Sequence, residues 1–225
     1  MNLEQVERAL VFSAHPGDGL LGTGGTVARL SKQGTKITVV LFSLEDSGYS
    51  EAEIEGNVLE TRKKEARQAA GIIGVHENIF LGKTPGSDVL VYQECIRLIR
   101  KHRPQVIFTH FLKDNHRDHR TVSEITGEAC WKASDNVFPD LGKPWDTPRL
   151  YYYELSNLFT YPSDIVDITA TIESKIKAVK TQTSQFVLLP GVMEYSRSLA
   201  KVRGYSVGVE YGEAFLLSSS IPCKH

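Results

Sequence analysis

Residues 36–43 read Lys-Ile-Thr-Val-Val-Leu-Phe-Ser. The run is β-branched and apolar, with no polar face. A strand of this kind belongs in the middle of a parallel sheet that is covered by helices on both sides. That requirement constrains the rest of the chain. Parallel neighbours need crossover connections, and those connections are usually helices.

The flanking segments supply them. Residues 8–14 (Arg-Ala-Leu-Val-Phe-Ser-Ala) form a short apolar run ended by His-Pro-Gly, which predicts a buried strand. Residues 22–33 carry Val27 and Leu30 and stop before Gly34, which predicts a helix. Residues 44–57 are polar and predict a loop. Residues 58–70 are rich in helix formers, with Glu60 and Lys64 as an i,i+4 pair. Further strands are predicted at 79–81, 105–110 and 150–155, and helices at 89–102, 121–133, 170–183 and 194–202. The alternation implies right-handed βαβ units. The fold class expected is α/β, a three-layer Rossmann-like fold with a mostly parallel sheet. Residues 135–148 hold Pro139, Gly142, Pro144 and Pro148 and read as a surface loop, so residues 1–225 read as a single domain.

Composition removes several functions. The chain has 26 basic and 27 acidic residues among 225, a formal net charge of -1. That balance gives no drive toward nucleic acid or anionic membrane. No apolar run reaches the ~18 residues of a membrane span. The first residues lack the basic and apolar regions of a signal peptide. Cys95, Cys130 and Cys223 are odd in number and far apart, which suits a reducing cytoplasm better than a disulfide framework.

In an open parallel sheet, ligands bind beyond the carboxyl ends of the strands. The loop after the first strand reads His15-Pro16-Gly17-Asp18-Gly19-Leu20-Leu21-Gly22. Gly17, Gly19 and Gly22 fit G-x-G-x-x-G, and Glu45 and Asp46 lie where a ribose-binding acid is found, so a nucleotide-cofactor binder is one reading. A tight turn with no phosphate is another. The polar residues offer a third. His15 and Asp18 follow the first strand, and Asp114-Asn115-His116-Arg117-Asp118-His119 follows the fourth. A His, an Asp and a distal His suit a catalytic divalent metal with an open position for water. His116 and His119 point to one side if Arg117 begins a helical turn, and Asp118 is placed to fix an imidazole. The same residues also suit helix caps or a solvated surface. His110, at the end of the fourth strand, reads as a residue that orients the loop.

These residues resemble the LmbE-like (PIG-L) family of zinc-dependent N-deacetylases. That family carries Ala-His-Pro-Asp-Asp-Glu after the first strand, then a glycine-rich turn, and a His-Pro-Asp-His type motif later. Here the first reads Ala14-His15-Pro16-Gly17-Asp18-Gly19, and the second His116-Arg117-Asp118-His119. The likeness continues through Arg62-Lys63-Lys64-Glu65, Val166-Asp167-Ile168-Thr169, Ser184-Gln185, Arg203-Gly204 and Glu213-Ala214-Phe215.

The resemblance implies one Zn²⁺ held by His15, Asp18 and His119. It implies that His116 stabilises or protonates the tetrahedral intermediate, with Asp118 beside it in the catalytic pair. Arg62, with Glu45 and Asp46, is placed at the substrate. The implied substrate is an N-acyl amino sugar or glycoconjugate of the N-acetylglucosamine type, cleaved to an amine and acetate. Oligomer formation is left open.

One departure matters. The general-base Asp of the family's motif corresponds to Gly17, and its final Glu to Gly19. A carboxylate that moves the water's proton typically contributes ~10²- to 10⁴-fold. Three compensations are open: a carboxylate from Glu45, Asp46, Asp88 or Asp114, His116 acting as both acid and base, or a protein that binds metal and sugar without turnover. Replacing Gly17 with Asp is expected to raise activity if Gly17 does not need a positive φ.

Overall fold

The structure is a computed structural model that describes residues 3, 5–44, 58–86, 89–186 and 190–219. Strands β1 (Arg8–Ser13), β2 (Lys36–Leu41), β3 (Glu77–Phe80), β4 (Val106–His110) and β5 (Leu150–Tyr153) alternate with helices. The helices are α1 (Asp18–Lys32), α2 (Val58–Ile73), α3 (Val89–His102) and α4 (Arg117–Ser134). The second half adds β6 (Asp164–Asp167), α5 (Ile172–Val179), the short α6 (Thr183–Phe186), α7 (Val192–Tyr205) and β7 (Gly212–Leu217). The sheet order is β3-β2-β1-β4-β5-β7-β6. β3, β2, β1, β4 and β5 pair in parallel, and β7 runs antiparallel between β5 and β6.

The central strands β1, β2, β4 and β5 are largely buried on both faces, as the sequence of β2 requires. Val11, Phe108, Tyr151 and Tyr153 pack on one face with Val27 and Leu30 of α1 and Ile176 of α5. Leu10, Phe12, Ile107 and Tyr152 pack on the other with Ile96 and Ile99 of α3 and Val122 and Cys130 of α4. Tyr151, Tyr152 and Tyr153 are all core residues. Each such large side chain contributes roughly 1.5–3 kcal/mol on burial.

Two expectations are corrected. The first helix starts at Asp18, not at residue 22. Gly19, Gly22, Gly24 and Gly25 lie inside this helix, where the backbone packs closely on its neighbours. A Cβ on Gly22 would enter the Tyr153 ring, and one on Gly25 would lie 2.6 Å from Ile168 Cδ1. α1 therefore lies directly against β5 and the segment after β6. The two C-terminal strands were not anticipated, because β7 gains its place only by pairing antiparallel with a distant β5.

A buried ion pair holds α1 from the other end of the chain. Glu213 of β7 accepts from the backbone N–H groups of Gly25 and Thr26, at 2.9 and 2.7 Å. Lys175 of α5 donates to Glu213 and to the Leu21 carbonyl. Each buried charge is thus paired and hydrogen-bonded, the condition under which it is tolerated.

Candidate metal centre

The chain passes from β1 outward to β2 and β3, then returns to β4 on the opposite side of β1. This is the switch point at which ligands bind in open α/β sheets. His15 and Asp18 follow β1 there, and His110, Asp114, His116 and His119 end or follow β4.

The Asp18 carboxylate is the hub. Its Oδ2 accepts from the His15 backbone N–H at 2.9 Å and lies 3.3 Å from both His15 Nδ1 and His119 Nε2. The outer nitrogens meet other carboxylates. His15 Nε2 lies 3.1 Å from Asp118 Oδ2, and His119 Nδ1 lies 3.1 Å from Asp114 Oδ1. His116 is the N-cap of α4, and its Nδ1 accepts from the Asp118 backbone N–H at 3.2 Å. Because α4 begins at Arg117, His116 and His119 share one side, with ring centroids 4.5 Å apart. Two sets of three donor atoms lie within 4.8 Å of one another: those of His15, His116 and His119, and those of Asp18, His110 and His119.

Electrostatics tie the cluster together. Burial pushes the Asp18 carboxyl up, and the facing His119 and His15 more than reverse that, holding it well below the usual carboxylate range. Burial lowers the His119 imidazole, and Asp18 and Asp114 overcome it and raise it. Burial, aided by His119, keeps His110 well below an ordinary imidazole. A concentration of carboxylate and imidazole in a buried cleft marks a functional site more often than a structural one.

The donor set fits a divalent cation. Two imidazoles face one carboxylate, and each imidazole has its other nitrogen at a second carboxylate, the arrangement that orients metal-binding histidines. Among the described residues, buried Asp114 Oδ2 and His119 Nδ1 also have no well-aligned hydrogen bond.

Other anticipated residues fall differently. Arg62 of α2 is 2% exposed and donates to the Leu44 carbonyl, tying α2 to the segment after β2. Glu45, Asp46 and Asp88 lie outside the described residues. Gly17 sits beside the cluster as N-cap of α1, at φ 96°. Asp114, by sequence one of four candidate substitute bases, is buried and already accepts from the His116 backbone N–H at 2.8 Å while facing His119. His110, read from the sequence as a residue that orients the loop, accepts at Nε2 from the Ala14 backbone N–H at 2.9 Å and also lies in one of the two donor sets.

The fold and this cluster define an α/β protein with a His/Asp centre at the β1–β4 switch point. The PIG-L family model, described as GlcNAc-PI de-N-acetylase, matches residues 10–130, and the chain belongs to that family. It is 31% identical over 177 residues to a 1D-myo-inositol 2-acetamido-2-deoxy-alpha-D-glucopyranoside deacetylase of Thermobifida fusca, covering 64% of this chain and 60% of that relative. It is 29% identical over 228 residues to the diacetylchitobiose deacetylase of Thermococcus kodakarensis, covering 92% and 82%. A conserved protein of Thermus thermophilus superposes with a TM-score of 0.83 at 29% identity, over 94% of each chain. GalB of Pseudomonas putida, a 4-carboxy-2-hydroxymuconate hydratase, superposes with a TM-score of 0.82 at 25% identity, over 94% and 95%. No described helix is long and apolar enough to cross a membrane.

Proposed function

We propose that this protein is a zinc-dependent N-deacetylase that removes the acyl group from an N-acetylglucosamine-like amino sugar. The observation that carries this reading is the Asp18 carboxylate, placed 3.3 Å from both His15 Nδ1 and His119 Nε2. His15, Asp18 and His119 would hold the ion. His110 Nε2 and His116 Nδ1 already accept from backbone N–H groups. The deacetylases among the relatives support the substrate class.

When bound, zinc supplies Lewis acidity to the acyl carbonyl and to water. The chain's own residues do the rest. His116 accepts at Nδ1, so its neutral form carries the proton on Nε2. That proton is available to the leaving nitrogen as the C–N bond breaks and water's oxygen bonds the acyl carbon, and the proton that water releases would return to Nε2. Asp118 holds His15 in place and, through its backbone N–H, sets the tautomer of His116. Residue 17 carries no carboxylate, so turnover lacks the general-base contribution of ~10²- to 10⁴-fold at that position.

The test is amine release from a panel of N-acetylglucosamine derivatives. Release that a chelator abolishes and zinc restores is expected. A folded, zinc-loaded protein that binds these sugars without releasing amine would be a non-catalytic binder. A second reading, addition of water to an unsaturated acid, is raised by the likeness to GalB, a hydratase at 25% identity. Loss of ultraviolet absorbance from a conjugated hydroxy-acid, with no amine release from any sugar, would establish it instead.

A further inference from the structure

Gly17 lacks a side chain, yet the space its side chain would enter is not empty. A Cβ built there lies 3.0 Å from Gln185 Oε1 and 3.8 Å from Gln185 Cδ. Gly17 and Gln185 line the same shallow cavity, with Leu20, Val179 and Val192. We propose that the Gln185 amide takes the place of a side chain at residue 17 and is a substrate-contacting group of this site. The proposal rests on the deacetylase reading above.

The position of Gln185 is built, not incidental. It belongs to the short helix α6, which the buried Glu65 of α2 anchors. Glu65 Oε1 accepts from the Ser184 backbone N–H at 2.9 Å and from Thr183 Oγ1 at 2.7 Å, and its Oε2 accepts from Ser184 Oγ at 2.6 Å. Three charge-assisted hydrogen bonds fix the residues next to Gln185. Its side-chain amide is half-buried and makes no hydrogen bond among the described residues.

The chemistry suits an acyl amide. A primary amide donates through N–H and accepts through its oxygen, so it can pair with the carbonyl and N–H of an acetamide or orient a water beside them. It does not take up a proton near neutral pH. Gln185 therefore binds and orients where a carboxylate would also carry a proton. Gln and Glu are nearly isosteric, so a carboxylate can enter from position 185 without disturbing Gly17.

The experiment compares wild type, Gln185→Ala and Gln185→Glu, each zinc-loaded and matched for melting temperature. It measures amine release against pH and N-acetylglucosamine affinity by calorimetry. Gln185→Ala is expected to lower kcat/KM and affinity about 3- to 10-fold, the loss of one or two neutral hydrogen bonds. Gln185→Glu is expected to raise kcat at least about tenfold and to add a limb that rises with pH through the carboxylate range. If wild type releases amine and either variant lacks its expected change, the role of Gln185 is overturned while the deacetylase reading stands. If neither wild type nor Gln185→Glu releases amine, the deacetylase reading fails. The affinities then decide the role of Gln185: an Ala variant weakened by the stated factor upholds it, and equal affinity or no binding overturns it.

Discussion

Asp18 Oδ2 and His119 Nε2 face each other at 3.3 Å across the switch point, although 100 residues of chain separate the turn after β1 from α4. Neither group has a reason to be buried beside the other unless a shared partner or proton holds them. His119→Ala is expected to abolish stoichiometric zinc binding. Elemental analysis of the purified, folded variant checks this, and unchanged zinc content would remove His119 from the ligand set.

Asp118 acts on His15 from behind, at 3.1 Å. Partners of this kind tune affinity without touching the ion. Asp118→Asn is expected to weaken zinc binding by about 10- to 100-fold. Competition with a chromophoric chelator measures it. An unchanged dissociation constant would mean that His15 needs no carboxylate to orient it.

Gly17 stands at φ 96°, a conformation that L side chains rarely adopt. The condition attached to restoring Asp there is therefore not met. Gly17→Asp is expected to destabilise the fold by about 1–3 kcal/mol, read as a lower midpoint in urea. Its activity is not expected to rise, because the strained turn carries Asp18. Full stability together with increased amine release would show that the loop relaxes freely.

Arg100 is 3% exposed and donates to the carbonyls of Lys132, Ala133, Asp135, Val137, Phe138 and Gly142. It closes the end of α4 and holds the proline-containing loop before β5. Arg100→Met keeps the length and removes every donor. A loss of about 2–5 kcal/mol is expected from the carbonyls left unpaired, with zinc binding retained because the site lies at the opposite ends of the strands. Urea unfolding and zinc titration separate the two effects.

Much of the fold was legible because β2 is apolar on both faces and the helices carry period and breakers. Helix α3 is bounded as anticipated, at Val89–His102, because Pro104 stops it. Strands β6 and β7 were missed, since their short segments show no strong alternation and depend on long-range pairing. The cluster was legible where a residue's own chemistry marks it, since His15, Asp18, His116 and His119 do lie together. The contacts of Asp114 and Gln185 were not, because a lone Asp in a loop or a Gln on a short helix has meaning only beside its spatial neighbours.

The amino-acid order by itself determined the parallel α/β architecture, the family and the absence of a carboxylate at residue 17. These follow from local pattern and residue identity. Only the tertiary structure decided what that absence means. It placed α1 against Tyr153, set Gly17 at a positive φ and brought Gln185 into the space beside it. The reason is that a backbone torsion and a contact across 168 residues are set by packing the whole chain, not by any local pattern within it.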